Sequence, residues 1–190
     1  PYSAVYVRFP RVKLAAAGDS VTVTFTVRYP FGAADGAYSL RVGLYLIQDD
    51  LPTAHGFDAE KNPRGDKAPG YYLATNPGLD APESSVLSKD LANQKARLCS
   101  GAINSNVSGS SAFLAAGPGS RFGDSPRVFS LTVARVAHGV TVSGGPDGSR
   151  LSAEDHEFPW TEFDSIVIST GDGAGPFHID DLVVSAGASR

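Results

Sequence analysis

The ten residues Ser20–Tyr29, SVTVTFTVRY, alternate almost without a break. Val21, Val23, Phe25, Val27 and Tyr29 fall on one face of an extended chain, and Thr22, Thr24, Thr26 and Arg28 on the other. Side chains along a strand point to opposite faces at every step, so a period of two predicts a strand with one buried face and one wetter face. The β-branched residues favour the same backbone. An apolar row of this length needs a second layer to cover it.

The pattern recurs along the chain. Ala4–Phe9 (AVYVRF) alternates. In Ser39–Gln48 (SLRVGLYLIQ), Leu40, Val42, Leu44 and Leu46 point one way, and Arg41, Gly43 and Tyr45 the other. In RVFSLTVARVAHG, Phe129, Leu131 and Val133 oppose Ser130, Thr132 and Ala134, and His138-Gly139 reads as a hairpin turn into GVTVSGG. FDSIVIST and FHIDDLVVS close the chain. The middle, from Asp49 to about Arg127, is irregular and punctuated by glycine and proline. YYLAT reads there as a short strand. Ser84–Leu98 (SSVLSKDLANQKARL) reads as a helix, because Leu87, Leu91 and Leu98 share a face and Ser84 or Ser85 can cap it. These elements predict one all-β domain over residues 1–190. Its architecture is a two-sheet antiparallel β-sandwich of jelly-roll type, with at most one short helix near 84–98.

Bulk properties narrow the partners. A chain of 190 residues buries a large core without staples, and its single cysteine, Cys99, permits no internal disulfide. The formal charge of -4 offers no general basic face, which argues against nucleic acid as a partner. No apolar run reaches membrane-spanning length, so membrane insertion is not expected. The chain holds no methionine and starts at Pro1, as it would after loss of a signal peptide. The expected location is therefore secreted, periplasmic or at the cell surface.

The strand order GDSVTVTFTVRY, LRVGLYL and GYY, followed late in the chain by FSLTVARVAHGVTVSGG, EFDSIVISTGDG and FHIDDLVVS, resembles the concanavalin A-like lectin/glucanase jelly roll. It is most similar to secreted bacterial domains that bind or cleave polysaccharides. The closing F-x-I-D-D-L-x-V also resembles the last strand of jelly-roll carbohydrate-binding modules. In those modules an aspartate of this strand helps hold a structural calcium, and the resemblance carries that role to Asp180.

The residues themselves leave two readings of this aspartate pair. Alternation places Phe177, Ile179, Asp181 and Val183 on one face, and His178, Asp180, Leu182 and Val184 on the other. Each carboxylate then interrupts an apolar row. One reading is an oxygen-ligand cation site, calcium above all. The other is an edge strand whose acids face water and resist pairing with another chain.

No catalytic motif stands out. SAEDHEFPW (Ser152–Trp160) is the densest ionisable cluster, but its E-D-H-E order lacks the carboxylate spacing of the glucanases of this fold. It reads as a charged turn before Trp160. The four histidines form no zinc-type pair. A lyase would need a histidine or tyrosine base beside a cation, and the strings of alginate lyases are absent. Binding asks for aromatic faces and a few polar groups. Arg41 and Tyr45 share the face opposite the leucines, Tyr71 or Tyr72 can flank it, and Trp160 can stack on a sugar. The expectation is a non-catalytic polysaccharide-binding or other glycan-binding jelly roll with a structural calcium. A polysaccharide lyase or glycoside hydrolase of the same fold, and a cell-surface adhesion module, are the alternatives.

Overall fold

The computed structural model describes residues 3–33, 40–47, 68–78, 85–90, 111–147, 150–170 and 176–188. Eleven strands are found among them: β1 (Ser3–Lys13), β2 (Ser20–Arg28), β3 (Leu40–Tyr45), β4 (Gly70–Thr75), β5 (Ser85–Asp90), β6 (Ser111–Gly117), β7 (Arg127–Val136), β8 (Gly139–Pro146), β9 (Leu151–Asp155), β10 (Glu162–Thr170) and β11 (His178–Gly187). Cys99, His55, Gln48 and Asp172, and the glycine-rich turn at 171–175, lie outside the described residues.

The strands form two antiparallel sheets. One has six strands in the order β1-β10-β3-β4-β5-β6; the other has five, β11-β2-β7-β8-β9. Their facing rows make the core. Val21, Val23, Phe25 and Val27 of β2, with Phe129, Leu131 and Val133 of β7, meet Leu40, Val42 and Leu44 of β3, Leu73 of β4 and Ile166 and Ile168 of β10, all buried. Phe25 and Phe129 are register partners, and their rings stack with centroids 5.2 Å apart. Each such side chain contributes about 1.5–3 kcal/mol by leaving water, so these rows dominate the stability of the sandwich. The outward threonines stay half-exposed, with Thr22 and Thr132 hydroxyls 2.9 Å apart. Asp19 closes the turn before β2, its carboxylate accepting the backbone N–H groups of Ala15 and Ala16 at 2.9 and 2.8 Å.

Two expectations are corrected. Ser85–Asp90, assigned above to a helix, is strand β5, hydrogen-bonded between β4 and β6; residues 91–98 lie outside the described set. Leucine spacing suggested a helix, but a neighbouring strand on each side satisfies this segment's backbone groups instead. The second correction concerns β11, whose alternation breaks between Asp180 and Val183. The register gains one residue there, and Asp181 adopts φ 54°. Aspartate is among the few non-glycine residues that tolerate this region. The bulge shifts the phase, so that Ile179, Leu182 and Val184 all pack against the core while both Asp180 and Asp181 are exposed.

Candidate functional site

Arg41, Tyr45 and Tyr72 do lie on the face of the six-stranded sheet away from the main core, as alternation predicts. That face is buried: Arg41 is 9 % exposed, Tyr45 0 % and Tyr72 1 %. Tyr45 and Tyr72 belong to a second apolar cluster with Ile47, Ala68, Ala74 and Val167, against which Tyr6 packs. As placed, these three side chains offer no open platform. Tyr71 points the other way, into the main core. Trp160 is half-buried and separate from Arg41. The five residues expected to share a site therefore divide between two places, Arg41, Tyr45 and Tyr72 on one face of the sheet and Tyr71 with Trp160 on the other.

Tyr71 and Trp160 come together at the open side of the sandwich. β5 and β6, at one end of the six-stranded sheet, touch β9, the edge of the five-stranded sheet. A cleft of about 820 Å³ opens there, lined by Lys89 of β5, Ala112, Phe113 and Leu114 of β6, and the run Glu154–Phe158 with Trp160. β9 ends at Asp155, and residues 156–161 form the connection to β10. The ionisable string that read as a charged turn is thus one wall of a cleft.

A buried polar chain holds that wall in place. Lys89 Nζ lies 2.6 Å from Asp155 Oδ2, with both side chains 6 % exposed. The same ammonium donates to the carbonyls of Glu157 at 2.5 Å and Phe158 at 3.0 Å. It also sits 5.4 Å from the Trp160 ring centroid, over the ring. An ammonium has three hydrogens, and these three oxygens use them all. Asp155 accepts in addition from the Tyr71 hydroxyl at 2.6 Å and from the Glu157 N–H at 3.1 Å. The Tyr71 oxygen in turn accepts from the Trp160 N–H at 2.9 Å. Burial first, and then the neighbouring Asp155 carboxylate, push the Tyr71 hydroxyl far above its usual titration range. It stays protonated and donates.

This clamp presents aromatic rings to solvent. Phe158 is 89 % exposed and holds φ 52°, a conformation that costs a bulky residue about 1–2 kcal/mol. Lys89 grips its carbonyl. Phe113, on β6, is 63 % exposed. Both rings line the same cleft, and exposed apolar groups gathered in one groove rimmed by polar residues mark binding sites. At the rim, His156 Nε2 lies 2.8 Å from Glu154 Oε2, and its Nδ1 lies 2.5 Å from the His138 carbonyl oxygen. That carbonyl first, and the Glu154 carboxylate after it, raise the His156 pKa above its usual 6.5. Gly139 makes the approach possible, since a Cβ there would stand 2.3 Å from the Asp155 carbonyl oxygen.

Glu154 and His156 belong to the string SAEDHEFPW, which stood out as the densest ionisable cluster but read as a charged turn, whereas Lys89, Phe113 and Phe158 were not singled out from the sequence. The Tyr71–Asp155 contact spans 84 residues and leaves no local trace. Asp180 is remote from the cleft, on the edge strand β11. Calcium takes six to eight oxygens. Among the described residues no group of three or more His, Cys, Asp or Glu converges on a common point.

No protein-family model matches the sequence, and no curated protein does. Solved structures do match in shape. The carbohydrate recognition domain of Emp46p, in its metal-free form, matches with TM-score 0.50 and 12% identity, over 96% of this chain and 76% of that one. Peanut lectin with a nine-residue peptide gives 0.49 and 12%, over 99% and 83%. The carbohydrate-binding module CBM66 from Bacillus subtilis gives 0.45 and 10%, over 96% and 81%. At such identities likeness speaks for fold: the chain is a concanavalin A-like jelly roll.

Proposed function

We propose that this chain is a non-catalytic carbohydrate-binding domain that takes a glycan in the cleft between β6 and the β9–β10 connection. One observation carries the reading: Phe113, Phe158 and Trp160 line one concave site, with Phe158 held far out in solvent by the Lys89 clamp. Sugar rings have apolar C–H faces that settle on aromatic rings, while their hydroxyls need a few donors and acceptors. Glu154 and His156 supply those at the rim. The shared fold with a domain named for carbohydrate recognition supports the class of ligand, by analogy. Secretion and a polymeric ligand belong to the same proposal.

Catalysis fits the site less well. An eliminating lyase neutralises a uronate carboxylate with a cation. Among the described residues lining the cleft the only permanent cation is Lys89, whose hydrogens are all committed. Asp155 is likewise held by Lys89 and Tyr71 and is not available as a proton donor.

The test is migration through native gels cast with a panel of neutral, basic and acidic polysaccharides, for the parent protein and for Phe113→Ala and Phe158→Ala. Retardation in at least one gel is expected, weakened roughly tenfold in affinity by each substitution, the effect of losing about 1.4 kcal/mol of stacking. Retention unchanged in the double variant would place the site elsewhere. A cleared track after polysaccharide staining would make the protein an enzyme, and neither retardation nor clearing would favour an adhesive module.

A further inference from the structure

Taking the cleft as the glycan site, we infer that its ligand is an ammonium-bearing glycan, of the 2-amino-2-deoxy sugar class with a free amine, and that acidic glycans are excluded. The inference rests on the proposed function and on the charges that line the cleft. Among the described residues that line it, Glu154, Asp155 and Glu157 place three carboxylates there against one ammonium, that of Lys89. Two negative charges remain in excess with His156 neutral, and one with His156 protonated. Arg135 is close enough to influence the Tyr71 hydroxyl but does not line the cleft.

Lys89 does not offset the rim. It is spent inside the wall on Asp155 and two carbonyls. Glu154 and Glu157 are instead exposed at the mouth, where an incoming ligand meets them. A polyuronate or a sulfated chain would bring its own negative charges to this rim, where no described lining residue offers an uncommitted cation to receive them, and like charges in a partly desolvated cleft are strongly disfavoured.

The aromatic lining points the same way. Ammonium groups are attracted to the negative faces of aromatic rings, most strongly tryptophan. The protein already uses this chemistry once, with Lys89 Nζ over the Trp160 ring. Phe113 and Phe158, more exposed, leave ring surface for a ligand's ammonium beside carboxylates that pair with it. Aromatic faces together with carboxylates form a cation-accepting site, whereas a neutral sugar would leave the negative charge of the rim unpaired.

Three probes of matched length separate the cases by titration calorimetry at low salt, below the pKa of the sugar amine: β-1,4-linked glucosamine oligomers, their N-acetylated counterparts, and oligogalacturonate. The amino oligomer is expected to bind about tenfold more tightly than the acetylated one, with the gap closing as salt rises. Oligogalacturonate should show no binding. Glu157→Gln should narrow the gap severalfold while leaving the acetylated oligomer's affinity nearly unchanged, and Glu154→Gln should narrow it with some loss of affinity for both oligomers. Equal affinities for the two, a gap that persists in the double Gln variant, or binding of oligogalacturonate would overturn the inference and leave the sugar cleft standing. Failure of all three probes, with parent and Phe158→Ala indistinguishable on the wider polysaccharide panel, would overturn the cleft itself and this inference with it.

Discussion

Lys89 Nζ of the six-stranded sheet and Asp155 Oδ2 of the five-stranded sheet stand 2.6 Å apart, with almost no exposure of either side chain. The pair ties the open side of the sandwich together. Through Tyr71 it also fixes Trp160, and through two backbone carbonyls it fixes the turn that carries Phe158. Removing one partner leaves a buried charge without its counterion. Lys89→Met should therefore lower stability by about 3–5 kcal/mol. The double variant Lys89→Met/Asp155→Leu should lose clearly less than the sum of the single losses, because neither charge then remains. Urea unfolding of the four proteins measures the coupling; additive losses would refute it.

Phe158 is held in a left-handed backbone conformation and is largely solvated. Its ring adds little to folding, while its backbone costs about 1–2 kcal/mol. Phe158→Gly should thus raise stability, by about 1 kcal/mol, and raise Tm. Glycan affinity should fall in the same variant. A protein made less stable by this change would mean that the ring packs in a way its exposure does not suggest.

His156 makes part of the stability depend on pH. Its pKa in the folded state is raised, chiefly by the His138 carbonyl, then by Glu154, with Asp155 adding a smaller push in the same direction. A raised pKa means that the folded protein binds the proton more tightly than the unfolded chain. The resulting stabilisation is fully present below the unfolded value near 6.5 and disappears as pH rises through the higher folded value. The Tm difference between the parent and His156→Gln should be largest at acidic pH and vanish toward pH above both values. NMR titration of His156 should show a midpoint above 6.5, moved down in Glu154→Gln.

Chelation tests the expectation attached to Asp180. Its carboxylate and that of Asp181 are exposed on a bulged edge strand, and among the described residues no group of three or more His, Cys, Asp or Glu converges on a common point. EDTA should leave Tm unchanged. A fall in Tm that calcium restores, and that Asp180→Asn abolishes, would instead establish a structural calcium there.

Much of the sandwich was legible in the chain. The rows of β2 and β7 were read residue by residue, since alternation records directly which side chains face the core. The sequence alone therefore determined that the protein is a two-sheet all-β domain and which positions of β2, β3 and β7 fill its centre. Local pattern was silent wherever both faces of a strand are covered, because alternation then disappears: β3 and β4 are buried on both sides. For that reason Arg41, Tyr45 and Tyr72 read as an open surface and are buried, the two tyrosines in a second core. Ser85–Asp90 read as a helix for a related reason, since its one leucine, Leu87, fits either period and only the neighbouring strands choose. Tertiary structure decided the site. Lys89, Tyr71, Asp155, Phe113 and Trp160 come from distant parts of the chain. They meet because β5 and β6 of one sheet meet β9 of the other at this edge, and because charges buried there are stable only when paired.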